Sequence, residues 1–197
     1  MEITTRHTRL TRLLHGPLAL AVVVQLGSSL AMIPERADRP GNGLFELQES
    51  IGIASMALVL AFWLWSLSRR RGTPPGALFP WLSGPRLRAL KVDVLRHFGE
   101  LRRLRVPAHH PDAPLASAIH GLGLCLVTFM AASGTLYLLS GATSPRDAGL
   151  TMELHEAFGS LVWVYLIGHA GMGVLQHLAT EFDLRSMWSL HPKTDKD

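Results

Sequence analysis

The sequence predicts an all-α integral membrane protein: a four-helix bundle with both termini in the cytoplasm and an amphipathic interfacial helix in the loop between the second and third spans. Three observations carry that prediction. The chain has 197 residues, 48% apolar and only 17% charged, and its charges are crowded into a few segments. Four stretches, Leu13 to Pro34, Ser50 to Ser68, Ala113 to Pro145 and Ala157 to Thr180, contain no Asp, Glu, Lys or Arg. Each can cross a bilayer, since about 20 apolar residues at about 1.5 Å rise cover a hydrocarbon core of roughly 30 Å. With no water there to bond the backbone, continuous runs of this length are helical. The mean hydropathy of +0.22 is modest only because the polar stretch from Ser68 to Pro114 dilutes the apolar ones.

Taken in order, the spans are placed at 16–33, 44–67, 115–140 and 154–180, within a single membrane domain over 1–197. Glu46, Glu49, Glu153 and Glu156 fall in or near the first turns of the second and fourth helices, where the positive end of the helix dipole favours acids. Arg69-Arg70-Arg71 stops the second helix, and a run rich in Pro and Gly follows. Between 86 and 105 the apolar residues Leu87, Leu90, Val94, Leu95, Phe98, Leu101 and Leu104 recur at helical spacing among Arg and Lys, which describes a helix on an anionic lipid surface. Sixteen Lys and Arg fall in the two ends and the 68–114 loop, against three in the two short loops. The positive-inside rule then puts the termini and the long loop of this multi-pass chain in the cytoplasm, with the two short loops outside. The arginines before the first span also suit a cleaved leader ending at Ser29-Leu30-Ala31. That apolar run is longer than a leader's, and its removal would leave three spans with the wrong charge balance.

Several function classes are excluded. One cysteine, Cys125, rules out a disulfide framework, a cysteine zinc site and two-cysteine haem attachment. A pI near 9.8 would suit a nucleic-acid binder, but no base-reading motif accompanies it, so nucleic acid is not a partner. Membrane lipid is.

Ten histidines are present, and five of them, His15, His120, His155, His169 and His177, lie in or at the edge of the spans. Ionisable side chains there are costly and point to function. His155 and His169 are fourteen residues apart, 40° short of four full turns, so they share a face about 21 Å apart along the axis. Counted along their own helices, His15 lies about 14 Å and His120 about 11 Å to the cytoplasmic side, near the level of His169. Gln48 lies about 11 Å to the outer side, near the level of His155. His177 falls beyond the core. Two neutral imidazoles on facing helices can take the axial positions of a b-type haem wedged in a bundle. Interhelical hydrogen bonding is the plainer role for such histidines, and close helix packing the plainer role for the many glycines beside them.

On these residues the chain resembles the bacterial cytochrome b561 family, four-helix b-type cytochromes related to the cytochrome b subunits of nickel–iron hydrogenases. The likeness runs through Arg9-Leu10 and His15, Asp38-Arg39-Pro40, Ser50-Ile51-Gly52, Ile119-His120-Gly121, and above all His155-Glu156, Gly159, Gly168-His169 and His177. It implies an inner haem on His15 and His169, with His120 near a propionate or a quinone. An outer haem would sit between His155 and a helix 2 residue, and electrons would be exchanged with the quinone pool. The departure is Gln48, which stands where the family pattern has the second outer ligand. Three outcomes are open: no outer haem, a five-coordinate haem on His155 alone, or a sixth bond from Met32, Met56 or Met152. About one haem b per chain is expected.

The leading expectation is therefore a cytochrome passing electrons between quinone and a redox protein or larger membrane complex. The alternatives are a superoxide–quinone oxidoreductase acting alone and a haem-poor anchor or assembly subunit of a larger redox complex.

Overall fold

A computed structural model of the chain describes residues 8–36, 38–69, 74–107 and 113–180. Among the described residues six α-helices run in the order α1 (Arg9–Ser29), α2 (Gly43–Ser68), α3 (Pro75–Leu78), α4 (Gly84–Arg102), α5 (Pro114–Ser140) and α6 (Leu150–Ala179), with 3-10 turns at Pro80–Leu82 and Pro145–Ala148. Four of them, α1, α2, α5 and α6, are long and apolar enough to cross a membrane. Among the described residues there is no strand, only an isolated bridge between Arg36 and Arg39. Arg6, Arg70, Arg71 and the chain ends, on which part of the charge count rests, lie outside the described residues.

Helix ends differ from the expected ones for local reasons. α1 starts at residue 9 rather than 16 because the Thr8 hydroxyl accepts the Thr11 N–H at 3.3 Å, a side-chain cap that lets the Arg-rich turns before the apolar run stay helical. It stops at Ser29, not at 33, because Asn42 captures the chain beyond it: the amide donates to the Ala31 carbonyl and accepts the Ile33 N–H. The same Asn42 oxygen accepts the Phe45 N–H at 3.2 Å, capping α2. α4 occupies 84–102 instead of 86–105; Pro85 suits a first turn, and Leu104, at φ 55°, ends the helix. α6 opens at 150, four residues early, where the Gly149 carbonyl accepts the Met152 and Glu153 N–H groups.

The chain divides into two compact units, one of residues 1–13, 65–122 and 166–197, the other of residues 14–64 and 123–165. In the first, Leu78 and Ala118 are buried, with Ser66, Asp93 and Ser117 as buried polar groups. Asp93 of α4 accepts the Leu115 N–H at the start of α5 at 3.0 Å, a cap supplied from 22 residues away. In the second, Leu26, Val59, Leu124, Tyr137 and Val162 form the core, Phe129 packs on Phe158 with ring centroids 4.2 Å apart, and Trp63 donates to Thr128 at 3.0 Å. Gly123 is where the Tyr165 ring and hydroxyl press on α5, so that a Cβ would collide with them. Leu64, Leu139, Val164 and Ile167 are at least 67% exposed, the outward apolar surface a protein shows when lipid is its solvent.

Candidate functional site

In the first unit, α5 and α6 bring His120 and His169 into direct contact, with ring centroids 5.1 Å apart and planes at 82°. His120 Nδ1 lies 2.6 Å from the Ala116 carbonyl one turn earlier. A carbonyl can only accept, so Nδ1 carries the proton and Nε2 the lone pair. The next residue, Gly121, sits against the Leu78 carbonyl, where a Cβ would collide with backbone. The connection after α2 is thus pressed onto α5 beside His120.

A second cluster in that unit was not singled out from the sequence. Thr11 Oγ1 accepts from Trp65 Nε1 at 3.0 Å and from the Arg69 guanidinium at 3.5 Å, while Arg69 Nε is buried without a hydrogen-bond partner among the described residues. Burial lowers the Arg69 pKa from its ordinary value, yet the group stays cationic. Poorly hydrated and part-satisfied, it can hold an anion. The available signal was the first arginine of the 69–71 run, read as a stop sequence, one turn after Trp65.

The second unit holds His15, His155 and Gln48. His155 Nδ1 is 2.8 Å from Ser133 Oγ, and that hydroxyl directs its own proton to the Phe129 carbonyl at 2.8 Å. With the hydroxyl proton on that carbonyl, the Ser133 oxygen accepts from His155 Nδ1–H and Nε2 is the basic nitrogen. This is how ligating histidines are commonly oriented. Gly134 faces the same ring, and a Cβ there would lie 3.5 Å from it. Gln48, in contrast, turns its amide to α1: its Oε1 accepts from Ser28 at 2.9 Å, and its backbone carbonyl accepts from Gln25 at 3.4 Å. The space beside Gly52, one turn further along α2, is taken by the Gln25 amide. Of the methionines, Met32 and Met56 are half-buried, and Met152 lines a cleft with Glu153 and Glu156.

His177 is exposed, as expected of a residue beyond the core. The structure thus joins His120 with His169, His155 with Ser133, and Gln48 with Ser28 and Gln25. Measured from the middle of its observed helix, His15 lies about 6 Å toward the N-terminal end of α1 and His169 about 7 Å toward the C-terminal end of α6. Gln48 is about 11 Å toward the start of α2 and His155 about 14 Å toward the start of α6. The earlier start of α1 brings His15 nearer the middle of its helix than the sequence count did.

Among the described residues no three His, Cys, Asp or Glu side chains converge as they would to enclose a metal ion. The histidines come in ones and twos, the number that axial haem ligation uses. Imidazole, which the chain offers at 15, 155 and 169, is a donor that haem iron accepts. At the level of His155 the other candidate donor is an amide oxygen already engaged by Ser28, which does not fit a six-coordinate one. Neither a curated protein nor a solved structure matches the chain. A family profile described as prokaryotic cytochrome b561 matches residues 6–190, a span that includes every histidine discussed above. The chain belongs to the prokaryotic cytochrome b561 family.

Proposed function

We propose that this transmembrane b-type cytochrome passes electrons between the quinone pool and a redox partner through one haem b, held by His15 and His169 toward the cytoplasmic face. The observation that carries the reading is the family match over 6–190, joined to two histidines at similar distances from the middles of their helices. A bound haem b supplies a one-electron iron couple. The chain's own residues orient and insulate it. His120, its proton fixed on the Ala116 carbonyl, braces the His169 ring, and Arg69 beside Thr11 and Trp65 offers a cation to a propionate.

A single haem is supported by the engagement of Gln48 with α1 and by Gln25 filling the space at Gly52. Direct superoxide chemistry at the outer face draws no support from the cleft there. That cleft, of about 390 Å³, is lined by Arg36, Arg146, Glu35, Glu153 and Glu156 among others, three carboxylates against two guanidiniums, and such a surface does not concentrate an anion. The sixteen-to-three distribution of Lys and Arg supports cytoplasmic termini and an inner-membrane location.

The test is the reduced-minus-oxidised spectrum and haem-to-protein ratio of the purified chain. One low-spin haem reducible by a quinol is expected. Zero would leave the anchor or assembly role, and two would refute the single-haem reading.

A further inference from the structure

α4 is amphipathic, but the face it turns to the rest of its unit is not its apolar one. Asp93 is 7% exposed and His97 half-buried, and it is Asp93 that bonds the start of α5. The carboxylate also holds Arg96 at 2.7 Å and lies 3.3 Å from His97 Nδ1. Leu87, Val94, Phe98 and Leu101 point outward, each at least 41% exposed. At 100° per residue these four fall within an arc of about 60°. Going round the helix from the centre of that arc, Asp93 lies about 110° to one side, whereas Lys91 and Arg102 lie about 50° and 70° to the other, followed by the 60%-exposed Leu95 near 90° and then Arg88. The order is therefore protein contact, then apolar strip, then a flank on which three cations border Leu95. Arg102 sits 5.9 Å over the Phe98 ring, its charge at the border of the strip with its stem along apolar surface, as snorkelling arginines do.

A helix covered by another protein chain on its apolar face has no need of that order. A helix lying in the headgroup layer beside a bundle requires it: one flank on the bundle, the next on acyl chains, and the next at the phosphates. Burying the strip in lipid removes four large apolar groups from water, and the adjoining cations match the sign of the cytoplasmic leaflet. We propose that α4 is docked in an anionic phospholipid monolayer, with Leu87, Val94, Phe98 and Leu101 among the acyl chains, Arg88, Lys91 and Arg102 at the phosphates, and Asp93 fixing which strip faces lipid. The arrangement does not depend on haem.

The experiment uses the full chain carrying Cys125→Ser in vesicles of phosphatidylcholine with and without phosphatidylglycerol. Single spin labels are placed through Val94→Cys, Phe98→Cys, Leu101→Cys and Val92→Cys, the last on the far side of the helix. Labels at 94, 98 and 101 should be accessible to oxygen and shielded from an aqueous nickel reagent, with the reverse at 92. Adding phosphatidylglycerol should lower nickel accessibility at 98 by about twofold or more, and replacing Arg88, Lys91 and Arg102 by Gln should remove that response. Adding Asp93→Ala should blur the contrast between 92 and 98. Equal nickel accessibility at 92 and 98 would overturn the proposal by placing the strip in water. Shielding of 94, 98 and 101 from both reagents would overturn it by showing a protein cover. Oxygen accessibility with no response to phosphatidylglycerol would overturn the role of the cations.

Discussion

His169 and His155 sit on one helix and have opposite surroundings. His169 packs against a second imidazole, in a unit that also holds a part-satisfied guanidinium at Arg69. His155 lies against a serine hydroxyl, in a unit where the Gln48 amide oxygen accepts from Ser28 and its carbonyl from Gln25, while Ser55 and Thr135 keep buried hydroxyls without a partner among the described residues. A histidine on a membrane face therefore says little by itself. What matters is which second donor is on offer: Gln48 presents only an amide oxygen, already accepting from Ser28, and an amide is a weak ligand for iron whatever His155 offers.

The largest expected effect separates the two regions directly. If both ligate one iron as proposed, His169→Ala or His15→Ala should abolish the low-spin haem spectrum, whereas His155→Ala should retain most of it. A full spectrum in His169→Ala would break the comparison. Next in size, Gln48→His should raise the haem-to-protein ratio above one if the space held by Gln25 can reopen, and Gln48→Ala should leave it at one. Two low-spin haems in the unaltered protein would show that the outer region is ligated by another side chain.

Asp93 gives a smaller and pH-dependent effect. Burial pushes its pKa up, but the Leu115 N–H and the Arg96 and His97 side chains outweigh this and hold the carboxyl below its ordinary value. The sign follows: the stabilisation is full above the ordinary carboxylate pKa and is lost as pH falls through the lowered value. Asp93→Ala should cost about 1–2 kcal/mol at neutral pH, having stripped a helix N-terminus of its cap. Asp93→Asn should lose the acid-dependent part, as read by thermal unfolding across pH. A contrast of comparable size separates two glycines. Gly121→Ala must displace the Leu78 backbone and should destabilise by about 1–3 kcal/mol. Gly134→Ala meets His155 at an ordinary 3.5 Å and should change the melting temperature little.

The membrane helices were legible because bilayer thickness imposes one length on all of them, and an absence of charge over 20 residues has few other causes. Their ends were less so. Thr8 and Asn42 move the limits of α1 by bonds from outside the apolar run, and hydropathy does not register a cap. In the candidate site, the periodicity that put His155 and His169 on one face could be counted, as could the oddity of Gln48. The Thr11–Trp65–Arg69 cluster could not, since its members are 54 and 58 residues apart and meet only through the fold. Nor could the orientation of α4, where the moment locates an apolar strip but says nothing about which strip Asp93 turns inward.

Asn42 has one more consequence, in the order of assembly. A single side chain bonds the Ala31 carbonyl, the Ile33 N–H and the Phe45 N–H, so it ties the end of α1 to the start of α2 across a short connection. Closing so short a loop costs little chain entropy, and the contact is between near neighbours in sequence. The α1–α2 hairpin can settle in the bilayer as soon as it leaves the ribosome, and the later helices then meet a surface on which Gln25 and Gln48 are already paired.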